Sequence, residues 1–137
     1  MKEEMSVNNR KALATYRYQR ANETLAEVPF LKQQGYYNTA VNRLYYACYY
    51  AAVALLVRHG INPGTHAGVK QMIGMHFVAT GCLSREVGRS FSLLFERRHS
   101  SDYDDFAYSS VEEIDELLPK ATAFIAAIGE LLQKAGL

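Results

Sequence analysis

Tryptophan is absent from the 137 residues, proline occurs only three times and glycine nine times. So few chain-punctuating residues exclude collagen-like, low-complexity and wholly disordered chains. Cys48 and Cys82 are the only cysteines and stand in no Cys-x-x-Cys or finger spacing. A disulfide framework and a zinc module are therefore excluded, and a reducing, cytoplasmic setting is expected. The longest apolar run lies between Arg43 and Arg58, well short of the ~20 residues a bilayer asks for. It is read as a buried helix, with no membrane association expected. The polar stretch after Met1 contains no apolar signal region. Net charge is only +1, so a uniformly basic nucleic-acid coat is excluded too. That balance hides an asymmetry: residues 1–101 hold 13 bases against 6 acids, and residues 102–137 hold 2 bases against 8 acids.

Apolar residues make up 49% of the chain, enough for one domain spanning residues 1–137 with its core at about 6–132. They recur at helical spacing almost throughout, and no stretch alternates with period two for long. The expected fold is all-α, an antiparallel up-down bundle of about five helices. Ser6 caps the first, with a stripe of Ala14, Tyr18, Ala21, Leu25 and Val28; Pro29 kinks or ends it. The second covers about 37–59 and is apolar on most sides, which places it at the bundle's centre. The third follows Thr65, with Val69, Met72, Ile73, His76 and Phe77 facing inward and Gly81 as its stop. Ser84 caps the fourth, whose stripe is Val87, Phe91, Leu94 and Phe95. Ser110 and Glu113 form a capping-box signature for the fifth, and Pro119 predicts a kink within it.

Two places break the bundle pattern. In the central helix, Asn42-Arg43-Leu44-Tyr45-Tyr46-Ala47 sets Arg43, Tyr46, Ala47 and Tyr50 on one face at about 100° per residue. A guanidinium on an otherwise apolar helix must find a partner or reach solvent. Arg43 and Tyr46 are therefore read as a phosphate or nucleotide contact flanked by rings; alternatively, Arg43 is a structural arginine hydrogen-bonded to a neighbouring helix or a dimer mate. The second place is Arg97-Arg98-His99-Ser100-Ser101-Asp102-Tyr103. The fourth stripe extends onto Arg98 where the apolar face runs out, and Asp102 is one turn further. Arg97 and Arg98 can bind a phosphodiester; His99, Asp102 and Tyr103 can move a proton or orient a ring. The competing reading is a helix end, with bases complementing the C-terminal dipole before a Ser-Ser-Asp turn.

His76, on an apolar stripe, is expected to be buried or half-buried; His66 and His59 are expected at the surface. Glu112, Glu113, Asp115 and Glu116 read as a solvated first turn. No histidine pair has metal-ligand spacing with a carboxylate, and no glycine-rich phosphate loop or serine elbow occurs. No metal and no cofactor are expected.

The order of these motifs resembles the HEPN domain family, in particular its small stand-alone members. Gly35-Tyr36-Tyr37-Asn38-Thr39-Ala40-Val41-Asn42-Arg43-Leu44-Tyr45-Tyr46-Ala47 opens the central helix, a Gly64-Thr65-His66 turn follows, and Arg98-x-x-x-Asp102-Tyr103-Asp104-Asp105 comes after the fourth helix. The resemblance implies a homodimeric helical bundle, often paired with a minimal nucleotidyltransferase. It further implies a metal-independent ribonuclease of toxin–antitoxin or defence systems, whose site is Arg, four to six residues, then His, with two copies meeting across the dimer. Arg98 matches that motif; no histidine follows at the required distance, since His99 is adjacent. Asp102 and Tyr103 match the small-protein pattern. Two readings stand. One is a ribonuclease in which His99 of one chain serves Arg98 of the other. The alternative is a non-catalytic module that binds RNA or a nucleotide, or partners a nucleotidyltransferase.

Overall fold

A computed structural model describes residues 6–103 and 108–136, with the side chains of 99–103 outside that description. Five helices follow in order: α1 (Val7–Gln33), α2 (Tyr37–Arg58), α3 (His66–Ile73), α4 (Arg85–Tyr103) and α5 (Val111–Lys134). Among the described residues there is no strand. Each serine or threonine expected to open a helix does so. The backbone N–H of Asn9 donates to Ser6 Oγ at 3.1 Å and that of Val87 to Ser84 Oγ at 3.1 Å. Glu113 N–H donates to Ser110 Oγ at 3.2 Å and Gly68 N–H to Thr65 Oγ1 at 2.9 Å. Such caps satisfy donors that have no partner inside the helix, each worth ~1 kcal/mol.

α2 is the axis of the bundle, touching α1, α3, α4 and α5. Its fully buried residues include Leu44, Tyr45, Leu55 and Leu56, and burying a leucine completely contributes roughly 1.5–3 kcal/mol. By length and apolarity alone α2 could cross a membrane; its burial by four neighbouring helices accounts for that composition. Cys48, on the same helix, donates its thiol to the Ala121 carbonyl at 3.9 Å, and burial pushes the thiol up, so it stays protonated. α1 locks onto α5 where the Tyr18 hydroxyl donates to the Ile125 carbonyl at 3.0 Å. That approach needs Gly129, because a Cβ there would lie 2.2 Å from the Tyr18 oxygen.

Of the two outcomes expected at Pro29, α1 does not end there but continues to Gln33, because the missing proline N–H costs one bond of a long, well-packed helix. The expectation for His76 needs correction. His76 is exposed rather than turned inward. Residues Gly74–Val78 form a single π-helical turn after α3, and its wider winding carries His76 off the 3.6-residue stripe while Phe77 remains buried. α5 runs through Pro119 without interruption.

Candidate functional site around Arg98 and His66

α4 continues as helix through Tyr103, so the Ser-Ser-Asp segment does not turn away after Arg98. Arg98 is half-buried, and its Nη2 donates to the Tyr46 hydroxyl at 3.1 Å. Its guanidinium carbon lies 5.6 Å from the Tyr46 ring centroid and 5.8 Å from that of Tyr45. A hydrogen bond from a charged donor contributes ~1.5–3 kcal/mol and a partly desolvated cation–π contact ~1–2. The position of the guanidinium is therefore set by α2, although the residue belongs to α4.

The same tyrosines receive an imidazole from a third element. His66, the first residue of α3, is half-buried rather than exposed. Its Nδ1 is 3.1 Å from the Tyr45 hydroxyl. Its ring stacks on Tyr49 at 4.3 Å between centroids and 4° between planes, and meets Tyr46 edge-on at 6.0 Å. Tyr45 is fully buried, and burial holds its phenol well above the usual range against the opposing charge of Arg98. Tyr45 therefore stays neutral and is no base itself. Because a neutral phenol both donates and accepts, it can pair with either tautomer of His66 at Nδ1. An Arg98 guanidinium and a His66 imidazole held by one Tyr45–Tyr46 pair can together grip an anion and move a proton beside it.

The turn before α3 sets the imidazole. Asn62 Oδ1 accepts from Gly64 N–H at 3.2 Å, and Thr65 caps the helix through Gly68. A Cβ on Gly68 would lie 2.3 Å from the Pro63 carbonyl oxygen and 3.0 Å from Thr65 Oγ1. Gly68→Ala is accordingly expected to open this turn, cost about 1–3 kcal/mol as an overpacked site, and shift the His66 ring resonances in an NMR spectrum. Unchanged His66 shifts in a folded variant would contradict this account of how the ring is placed.

The other expected residues are distributed differently. Arg43 Nε lies 3.7 Å from Glu27 Oε2 on α1, whereas Tyr46 on the same helix accepts from Arg98. Arg97 pairs with Glu113 at 2.5 Å and reaches Ser109 Oγ at 3.3 Å. Together with Ser109 N–H, which donates to Asn38 Oδ1 at 2.7 Å, it ties α4 and the start of α5 to the opening turn of α2. His99, Asp102 and Tyr103 occupy the last turn of α4 by backbone, and their side chains lie outside the described residues. His66 is the residue that the reading for chemistry passed over. Its available signal was the capping threonine followed by His and then, two residues on, a glycine.

Comparison with known proteins agrees with this architecture. A UPF0332 protein of Thermotoga maritima is 32% identical over 127 residues, covering 93% of this chain and 96% of its own. Two proteins of Methanocaldococcus jannaschii named as candidate toxins are each 32% identical, over 114 and 107 residues. These matches cover 83% and 78% of this chain, and 84% and 73% of theirs. Residues 14–131 match the HEPN domain, and the chain belongs to the HEPN domain family.

Proposed function

We propose that this chain is the toxin of a toxin–antitoxin or defence pair, and that it cuts RNA as a homodimer without needing a metal. The observation that carries the proposal is the convergence of Arg98 and His66 on the Tyr45–Tyr46 pair; the relatives named as candidate toxins support its biological class. Arg98 grips the scissile phosphate through its planar fork and balances the charge that develops there. A base removes the proton of the ribose 2′-hydroxyl, the 2′-oxygen attacks phosphorus, and the P–O5′ bond breaks as the leaving oxygen takes a proton. The products are a 2′,3′-cyclic phosphate and a 5′-hydroxyl. His66 supplies an imidazole within the same chain, in place of the one missing from the Arg98 motif; His99 of the partner subunit is the competing donor. Arg97 and Arg43 serve the architecture through Glu113 and Glu27. The partner implied by this class is a minimal nucleotidyltransferase that silences the toxin.

One observation favours the alternative, a non-catalytic module that binds RNA or a nucleotide: no histidine stands four to six residues after Arg98. Incubating the purified chain with total RNA in EDTA separates the two. Cleavage with cyclic-phosphate ends is the expected result. Intact RNA in both EDTA and magnesium, with tight binding of a mononucleotide or a nucleotidyltransferase, would overturn the ribonuclease assignment.

A further inference from the structure

A second feature lies one helical turn along α3 from His66. Lys70, Ile73, Arg85, Arg89, Phe91 and Ser92 help to line a cleft of about 270 Å³ between α3, the π-turn and α4. Three of its lining side chains are cations and none is a carboxylate. Among the described residues neither Arg85 nor Arg89 forms an ion pair, although Glu86 and Glu96 share their helix. Lys70 Nζ stands 5.1 Å from the Phe95 ring centroid, a contact that leaves its charge uncancelled. α4 begins at Arg85, so the positive end of its dipole adds to the same field.

We infer that this cleft binds backbone phosphates of the single RNA strand whose scissile phosphate lies at Arg98. The inference rests on the ribonuclease reading for the direction of the strand, but its contacts are separate from the Arg98 site. Three features select a strand over a small cofactor. The volume falls just below the ~300–1,000 Å³ of pockets that enclose small molecules. Its floor is apolar, made in part by the buried Ile73 and Phe91, while the cations stand around it. A chain of ring contacts through the core also links the cleft to the Arg98 cluster. Phe95, under Lys70, is edge-on to Tyr45 at 6.0 Å, and Tyr45 underlies Arg98. His66 and Lys70 are about 6 Å apart along the α3 axis, a spacing that presents successive points of one strand to successive side chains.

The test uses the full chain and a 2′-O-methyl RNA oligonucleotide, which binds but offers no 2′-hydroxyl for cleavage. Affinity is measured by fluorescence anisotropy across a salt series for the wild type and for Lys70→Ala/Arg85→Ala/Arg89→Ala. Because Lys70 contacts Phe95, Arg85→Glu/Arg89→Glu, which changes only exposed side chains, serves as a second variant, and circular dichroism checks both folds. Losing three single-strand contacts lowers the slope of log K against log salt by about 2, and affinity at low salt falls at least tenfold. An unchanged slope in both variants overturns the inference. So does a wild type that binds no RNA, or one that takes inorganic phosphate or a free mononucleotide in the cleft as tightly as the oligonucleotide. The two proposals fail separately. A chain that binds RNA through the cleft and cuts nothing retains this inference and loses the ribonuclease reading. A chain that cuts with Arg98 dependence, while the cleft variants keep the wild-type KM and salt slope, does the reverse.

Discussion

Replacing Arg98 with lysine is expected to slow RNA cleavage by on the order of a thousand-fold and to leave the helical bundle folded. The reason is geometric. The guanidinium is planar and forked, and Tyr46 fixes its rotation through a 3.1 Å hydrogen bond while the Tyr45 and Tyr46 faces support it. An ammonium keeps the charge and part of the cation–π attraction but cannot offer two parallel donors to a phosphate. The stability cost stays within about 1–3 kcal/mol, the worth of one charge-assisted hydrogen bond. Single-turnover cleavage and a thermal melt, measured together, separate the two effects. A lysine variant with near-wild-type cleavage would remove Arg98 from the role of phosphate clamp.

His66→Ala is expected to cost a hundred- to ten-thousand-fold in the same assay, the range over which a positioned proton carrier acts. Its diagnostic is the pH profile. An imidazole is the side chain that changes protonation between pH 5 and 8, so the variant should lose the limb of the rate profile in that window and recover activity with added imidazole. Tyr45→Phe keeps the buried ring and removes only the hydroxyl that meets Nδ1 at 3.1 Å. It should therefore reduce the rate less than His66→Ala does and displace the profile rather than abolish its limb. His99→Ala is the control for a proton carrier supplied across the dimer. If His66→Ala cleaves normally and His99→Ala does not, the imidazole comes from the partner subunit.

Most of the fold was legible in the residues because its signals are local. The caps at Ser6, Thr65, Ser84 and Ser110 act within one turn, and the apolar girth of α2 admits no position other than the centre. The candidate site was only half legible. The extension of the α4 stripe placed Arg98 at the end of the apolar face, where it lies. Helical periodicity also grouped Arg43 with Tyr46, yet the first pairs with Glu27 of α1 and the second with Arg98 of α4. Which neighbour a helix face meets is a tertiary matter that spacing along one helix does not contain. His66 was missed for the same reason: next to a capping threonine a histidine reads as exposed, and only the crossing of α3 over α2 stacks it on Tyr49. His76 failed through a local irregularity instead, the π-turn, which a period of 3.6 cannot describe.

If the Arg98 and His66 side chains drive attack by a ribose 2′-hydroxyl, the sugar at the cut is indispensable, and one substrate pair shows whether it is. A defined RNA oligonucleotide and its twin carrying a single 2′-deoxy sugar at the mapped cleavage position are incubated with the wild type in EDTA, and product masses are read. The expected result is a 2′,3′-cyclic phosphate and a 5′-hydroxyl from the first, and no cut at that position in the second. Equal cutting of the deoxy twin, or products ending in a 3′-hydroxyl and a 5′-phosphate, would mean that the 2′-hydroxyl is not the nucleophile.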